Sequence, residues 1–126
     1  MTTSLHLPAR PGAPVACDMS TAEDTPDERV REYRDVFERA LLQHERRPDA
    51  VVLSFRAGSG VREAVEDLAR REAACCPFLE HHVETAGDDV TWTIRGDKRP
   101  AVAEALDAFH ALAGTSRAAS AGRPRP

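Results

Sequence analysis

Two adjacent thiols, Cys75 and Cys76, stand in the run Glu72-Ala-Ala-Cys-Cys-Pro-Phe78, and a third, Cys17, stands alone near the N-terminus. Thiolate with imidazole or carboxylate is a ligand set for zinc, and thiolate alone suits cuprous copper, cadmium and mercuric mercury. Thiolate is also a nucleophile. On a helix, Glu72 lies one turn back on the same side as Cys75 and Cys76. Of the five histidines, His81 is the strongest candidate to join them, because alternation along the strand after Pro77 puts Leu79, His81 and Val83 on one face and His82 on the other, between Glu80 and Glu84. The expected metal ligands are therefore Cys17, Cys75, Cys76 and His81. Cys75, Cys76, Glu72 and His81 are the candidates for any catalysis, and the cofactor would be a soft or borderline ion: Zn, Cu(I), Cd or Hg.

The ligand types speak more strongly than their spacing. A structural zinc site usually announces itself by a Cys-x2-4-Cys knuckle and a second matching pair, which this chain lacks. Adjacent cysteines reach one ion only if the backbone between them bends, as it can at a helix end before proline. A helix C-terminus also opposes thiolate formation, because the negative end of the dipole raises a thiol pKa. Arg56, Arg70 or Arg71 could offset this, or the metal itself could displace the proton. Each residue has a plainer role as well: the cysteines as small buried hydrophobes, Glu72 in a surface ion pair with Arg56 or a neighbouring arginine, His81 as a satisfied core histidine, Cys17 as an inert thiol in an arm. His44 and His110 are expected near helix C-termini and His6 in a tail.

These residues must be positioned by a small fold. Thr25 or a nearby Ser or Thr could cap a helix over Pro26 to His44, with the apolar stripe Val30, Tyr33, Phe37, Ala40 and Leu41. Ala50 to Phe55 is short and β-branched, and it reads as a strand bounded by Gly58 and Gly60. A second helix is expected from Ser59 or Gly60 to Ala74, burying Val61, Val65, Leu68, Ala69 and Glu72. Phe78 to Ala86 and Val90 to Arg95 read as a hairpin around Gly87-Asp88-Asp89. In its second strand Val90, Trp92 and Ile94 alternate with threonines, as in a sheet with one wet face. A last helix over Arg99 to Leu112 buries Val102, Leu106, Phe109 and Leu112. The expected fold is α+β, in the order α-β-α-β-β-α, with a short antiparallel or mixed sheet and the helices on one face. Residues 1–16 read as a mobile tail, 17–113 as one domain and 114–126 as a disordered tail.

A chain of 126 residues that is 41% hydrophobic holds one core. Its net charge of −4 and its interspersed signs argue against a nucleic-acid partner. No stretch of about 18 apolar residues is present to span a membrane, and no cationic segment leads into an apolar run at the start, so a cytoplasmic location is expected. Neither a nucleic acid nor a membrane is expected as a partner, and a homodimer is left open. In a reducing compartment three thiols are better read as metal-binding, reactive or buried than as a disulfide framework.

An isolated Cys17 before an Arg-rich helix, a strand ending in Phe55-Arg56, the run Leu68-Ala-Arg-Arg-Glu-Ala-Ala-Cys-Cys-Pro-Phe-Leu79 and a Val-containing hairpin together resemble a known domain. It is the cysteine-bearing domain appended to some actinobacterial MerR-type heavy-metal-responsive regulators, also found free-standing. The resemblance spans about Cys17 to Leu112. It implies a cytosolic domain that senses or sequesters a soft metal or metalloid through Cys17, Cys75 and Cys76, with Glu72 beside them. With no winged-helix module ahead of Cys17, the chain is expected to be the free-standing form. His81-His82 departs from the aromatic or aliphatic residue expected after Cys-Cys-Pro, and a nitrogen ligand there would move the preference toward zinc or copper.

The leading expectation is soluble, thiolate-based sensing or sequestration of a soft or borderline metal ion or a small thiophilic ligand. The main alternative is a small thiol-dependent enzyme, such as an organomercurial-lyase-like protein in which Cys75 and Cys76 hold mercury and Glu72 or His81 protonates the leaving carbon. A redox switch would pair Cys17 with Cys75 or Cys76 on oxidation. An apolar binding pocket between Trp92, Phe55 and the helices would leave the thiols without chemistry.

Overall fold

The computed structural model describes residues 2–115. Five strands, β1 (Thr2–Leu7), β2 (Leu41–Arg47), β3 (Ala50–Arg56), β4 (Glu80–Ala86) and β5 (Asp89–Arg95), form one antiparallel sheet in the order β1-β4-β5-β3-β2. Three helices complete the α+β fold: α1 (Pro26–Ala40), α2 (Val61–Cys75) and α3 (Pro100–Gly114). Of the tail expected over 114–126, Gly114 closes α3 and residues 116–126 lie outside the described residues. Among the described residues no helix is long and apolar enough to cross a membrane.

Register fixes which side chains share a face. Leu7, His81, Ile94 and Val51 line up across four strands, as do Leu5, Val83, Trp92 and Leu53. These rungs join Tyr33 and Phe37 of α1, Val65 and Leu68 of α2 and Val102 and Leu106 of α3 in one core. The alternate positions, including His6, His82, Glu84, Thr91, Thr93 and Ser54, face the wet side and are exposed or half-buried. The two-residue turn between β4 and β5 uses Gly87 at φ 59°, the left-handed conformation that glycine adopts without a Cβ penalty.

The local signals explain most boundaries. Thr25 accepts from the Glu28 amide at 3.2 Å and Glu28 Oε1 accepts from the Thr25 amide at 2.9 Å, a reciprocal cap with Pro26 in the first turn of α1. Helix α2 stops because Cys76 leaves helical geometry at φ −122°, ψ 71°, as expected of a residue preceding proline.

Two segments differ from the sequence expectation. The first helix ends at Ala40, and Leu41–Arg47 becomes β2, an edge strand joined to β3 through Pro48-Asp49. Its residues are good helix formers, but pairing against the β-branched β3 outweighs that preference. His44 therefore lies in a strand, its ring centroid 4.8 Å from that of His110 on α3. Thr2–Leu7, expected within a mobile tail, is instead the other edge strand, turning Leu5 and Leu7 toward the core beside Val83 and His81 of β4. The element order is thus β-α-β-β-α-β-β-α.

Candidate functional site

Helix α1 presents Arg29, Tyr33, Val36, Phe37 and Ala40 to the interior. Tyr33, Phe37, Ala40 and Leu41 of the expected stripe are buried, but Val30 is 36% exposed and Arg29 takes its inner place. Arg29 is 3% exposed and reaches across to α2, where Nη1 donates to Glu72 Oε1 at 2.8 Å. Its Nε and Nη2 grip Asp24 at 2.5 and 2.8 Å, a two-pronged contact that suits guanidinium and carboxylate. Arg29 holds the Asp24 carboxyl down to about 2. The guanidinium of Arg29 is itself fixed in its charged form, first by Asp24 and then, against the cost of burial, by Glu72.

The sulfurs gather at the same point. Cys75 is the last residue of α2, 5% exposed, with its Sγ 3.9 Å from Arg29 Nη2 and 4.0 Å from Nη1. Cys76 is bonded to Cys17 in a disulfide whose Cα atoms are 4.4 Å apart, and its Sγ lies 3.6 Å from Glu72 Oε2. The arm that carries Cys17 is also tied down by its backbone. The Arg10 amide donates to the Pro77 carbonyl at 2.7 Å and the Asp18 amide to the Cys75 carbonyl at 2.9 Å, bracketing the Cys-Cys-Pro corner. Ala13 between them is buried.

Glu72 is thus in an ion pair, but the pair is buried and the arginine comes from α1, not from Arg56 or the surface of α2. Arg71 instead ties α2 to Asp24 and to Glu32 of α1, and pairs with Asp67 one turn back on its own helix. Tyr33 lies near Glu72 without reaching hydrogen-bonding geometry, and its hydroxyl makes no hydrogen bond among the described residues. Burial, and then the Glu72 charge, push its pKa well above the ordinary phenol value.

His81 points inward as expected and is fully buried, but its ring nitrogen is engaged by an indole. Trp92 Nε1–H donates to His81 Nδ1 at 3.1 Å, so the neutral ring carries its proton on Nε2, which has no partner among the described residues. Burial lowers its pKa to about 4. Of the four expected ligands, the fold brings Cys17, Cys75 and Cys76 to one corner, while His81 sits on β4 in a pair with Trp92. With Cys17 and Cys76 joined, no group of three or more His, Cys, Asp or Glu side chains among the described residues is disposed to hold a metal.

A cleft of about 690 Å3 opens beside the corner, with Cys75, Arg29, Asp24 and Arg71 in its lining and further carboxylates from Asp18, Glu23, Glu28, Glu32 and Asp67. Trp92 and Phe55, expected to border an apolar pocket, are fully buried core residues. Arg29 and Asp24 are the site residues that sequence reasoning missed. The signal was the period itself: 29, 33, 36, 37 and 40 follow one helical face, with a charged residue at its first position. No protein-family model, curated protein or solved structure was found to match this chain.

Proposed function

We propose that the reduced protein binds a thiophilic cation through Cys17, Cys75 and Cys76. The observation that carries this reading is that Cys17, 59 residues away in sequence, reaches Cys76 within bonding distance beside Cys75. Two further features support it. The backbone bends at Cys76, which is the condition for adjacent cysteines to turn toward one ion. The cleft leading to Cys75 is rich in carboxylates, and such a lining attracts cations and repels anions. Metal coordination deprotonates thiols directly, so the site does not depend on thiolates formed beforehand at the helix C-terminus. Glu72 would support the shell from beside Cys76, and the resemblance to the cysteine-bearing domain of heavy-metal-responsive regulators agrees with this chemistry. A cytoplasmic setting, where thiols are kept reduced, fits it as well.

The test is an anaerobic titration of the fully reduced protein with Cd2+, followed by sulfur-to-metal charge-transfer absorption and native mass. One tightly bound equivalent, weakened by Cys17→Ser, Cys75→Ser and Cys76→Ser, is the expected result. A folded protein with three free thiols and no Cd2+ uptake overturns the reading. The contact between Glu72 and Cys76 keeps organomercurial cleavage as a second reading, with Glu72 accepting the proton that a cysteine thiol gives up on binding mercury and donating it to the leaving carbon. Multiple turnovers of an organomercurial to hydrocarbon would favour it.

A further inference from the structure

We propose that the Cys17–Cys76 disulfide is a reversible gate on the thiophilic site, closing it under oxidation and opening it under reduction without dispersing its parts. This inference rests on the proposed ion-binding function and adds its regulation. Both partners in the bond are expected ligands, so bond and bound ion exclude each other: a sulfur in a disulfide has no thiolate charge to donate.

The pairing also has a direction. A bond between adjacent Cys75 and Cys76 would force an unusual backbone, whereas Cys17 is delivered to Cys76 by the arm. Oxidation therefore consumes two of the three thiols and leaves Cys75, beside Arg29, as a single thiol that cannot hold the ion alone.

The gate reopens onto a formed site because the arm is held by more than the disulfide. The hydrogen bonds from Arg10 to Pro77 and from Asp18 to Cys75 flank Cys17 on the chain and involve no sulfur, so breaking the S–S bond does not itself remove them. Buried Ala13 packs the stretch between them, and the Arg29–Glu72 pair fixes α2 from the other side. Reduction thus returns three thiols to one corner rather than freeing a loop.

The chemistry balances with ordinary partners. On closing, the Cys17 and Cys76 thiols give two electrons and two protons to a hydroperoxide, ROOH, which becomes an alcohol and water as the S–S bond forms. If an ion is bound, the two sulfurs are thiolates: they give the two electrons, the two protons come from water, and the ion leaves as its bonds to both sulfurs break. On opening, a small thiol attacks one sulfur to give a mixed disulfide, and a second small thiol resolves it, leaving both cysteines reduced and the two small molecules joined as a disulfide.

The test compares Cd2+ titrations of the full chain after complete reduction and after mild peroxide treatment, with intact mass and peptide mapping of the oxidised sample. We expect a loss of two hydrogens located to Cys17 and Cys76, loss of the single Cd2+ equivalent, and its recovery on adding dithiothreitol. In Cys17→Ala, any residual Cd2+ binding should be insensitive to the same mild treatment. Equal binding by the reduced and the disulfide forms would overturn the gate while leaving the binding site standing. Oxidation that bypasses the Cys17–Cys76 pair, or binding that is not recovered on reduction, would also overturn it. Absence of Cd2+ binding to the reduced chain would remove the ion-binding function, and the gate with it.

Discussion

The Arg29 guanidinium lies 3.9 Å from the Cys75 sulfur at Nη2 and 4.0 Å at Nη1, although the two residues are 46 apart in the chain. Cys75 is the last residue of α2, and Arg29, itself held by Asp24 and Glu72, covers its buried sulfur with both terminal nitrogens. Replacing Arg29 with methionine removes these contacts and leaves Glu72 unpaired, which loosens the cover over the sulfur, so Cys75 should be alkylated faster by iodoacetamide. The same modification rate in both proteins would separate Arg29 from the reactivity of the thiol.

Arg29 also has a structural part, since its side chain is 4% exposed and that of Glu72 9%. Arg29→Ala leaves Glu72 buried without its partner, and breaking a buried pair in this way costs about 3–5 kcal/mol. Urea unfolding of the single and double variants should show that Arg29→Met with Glu72→Gln is less destabilised than Arg29→Ala alone.

Much of this corner was legible in the sequence, and the reasons for the rest are particular. The apolar rungs of α2, β3, β5 and α3 repeat at helical or strand period, and their burial follows that pattern, except that Phe109 and Leu112 of α3 are only half-buried and Ala113 is buried beside them. Glu72, Cys75 and Cys76 were identifiable because one turn of helix must align them before Pro77. Arg29 was hidden because a charged side chain ordinarily lies in solvent, although it stands on the same stripe as Tyr33 and Phe37. Thr2–Leu7 was hidden because its alternation of Leu5 and Leu7 with Ser4 and His6 is short and followed by prolines; its strand character comes from the open edge of β4. Leu41–Arg47 was hidden because its composition favours a helix and only pairing with β3 decides otherwise.

His81 makes stability depend on pH. Burial lowers its pKa from 6.5 to about 4 in the folded chain, so the unfolded chain binds the proton first on acidification. Its contribution is full above about pH 6.5, falls as the pH drops toward 4, and amounts over that interval to about 3 kcal/mol. Asp24, lowered from 3.8 to about 2, adds a further loss only below about pH 4. Chemical unfolding between pH 7 and 4 should show the decline, and His81→Gln should flatten it.

Closing a loop of 59 residues restricts the unfolded chain, and the chain-entropy relation gives about 4 kcal/mol for that length. Reduction with dithiothreitol should therefore lower the urea midpoint while the far-ultraviolet circular dichroism in buffer stays folded, because the arm keeps its backbone bonds to Pro77 and Cys75. Collapse of the spectrum on reduction alone would mean that the disulfide, not the arm, holds the corner together.

The most direct measurement is the Cd2+ stoichiometry of the fully reduced chain, read by native mass alongside charge-transfer absorption. The account predicts one equivalent bound through three sulfurs, with each Cys→Ser variant weakened. Three titratable thiols in a folded protein that takes up neither Cd2+ nor Hg2+ would contradict it.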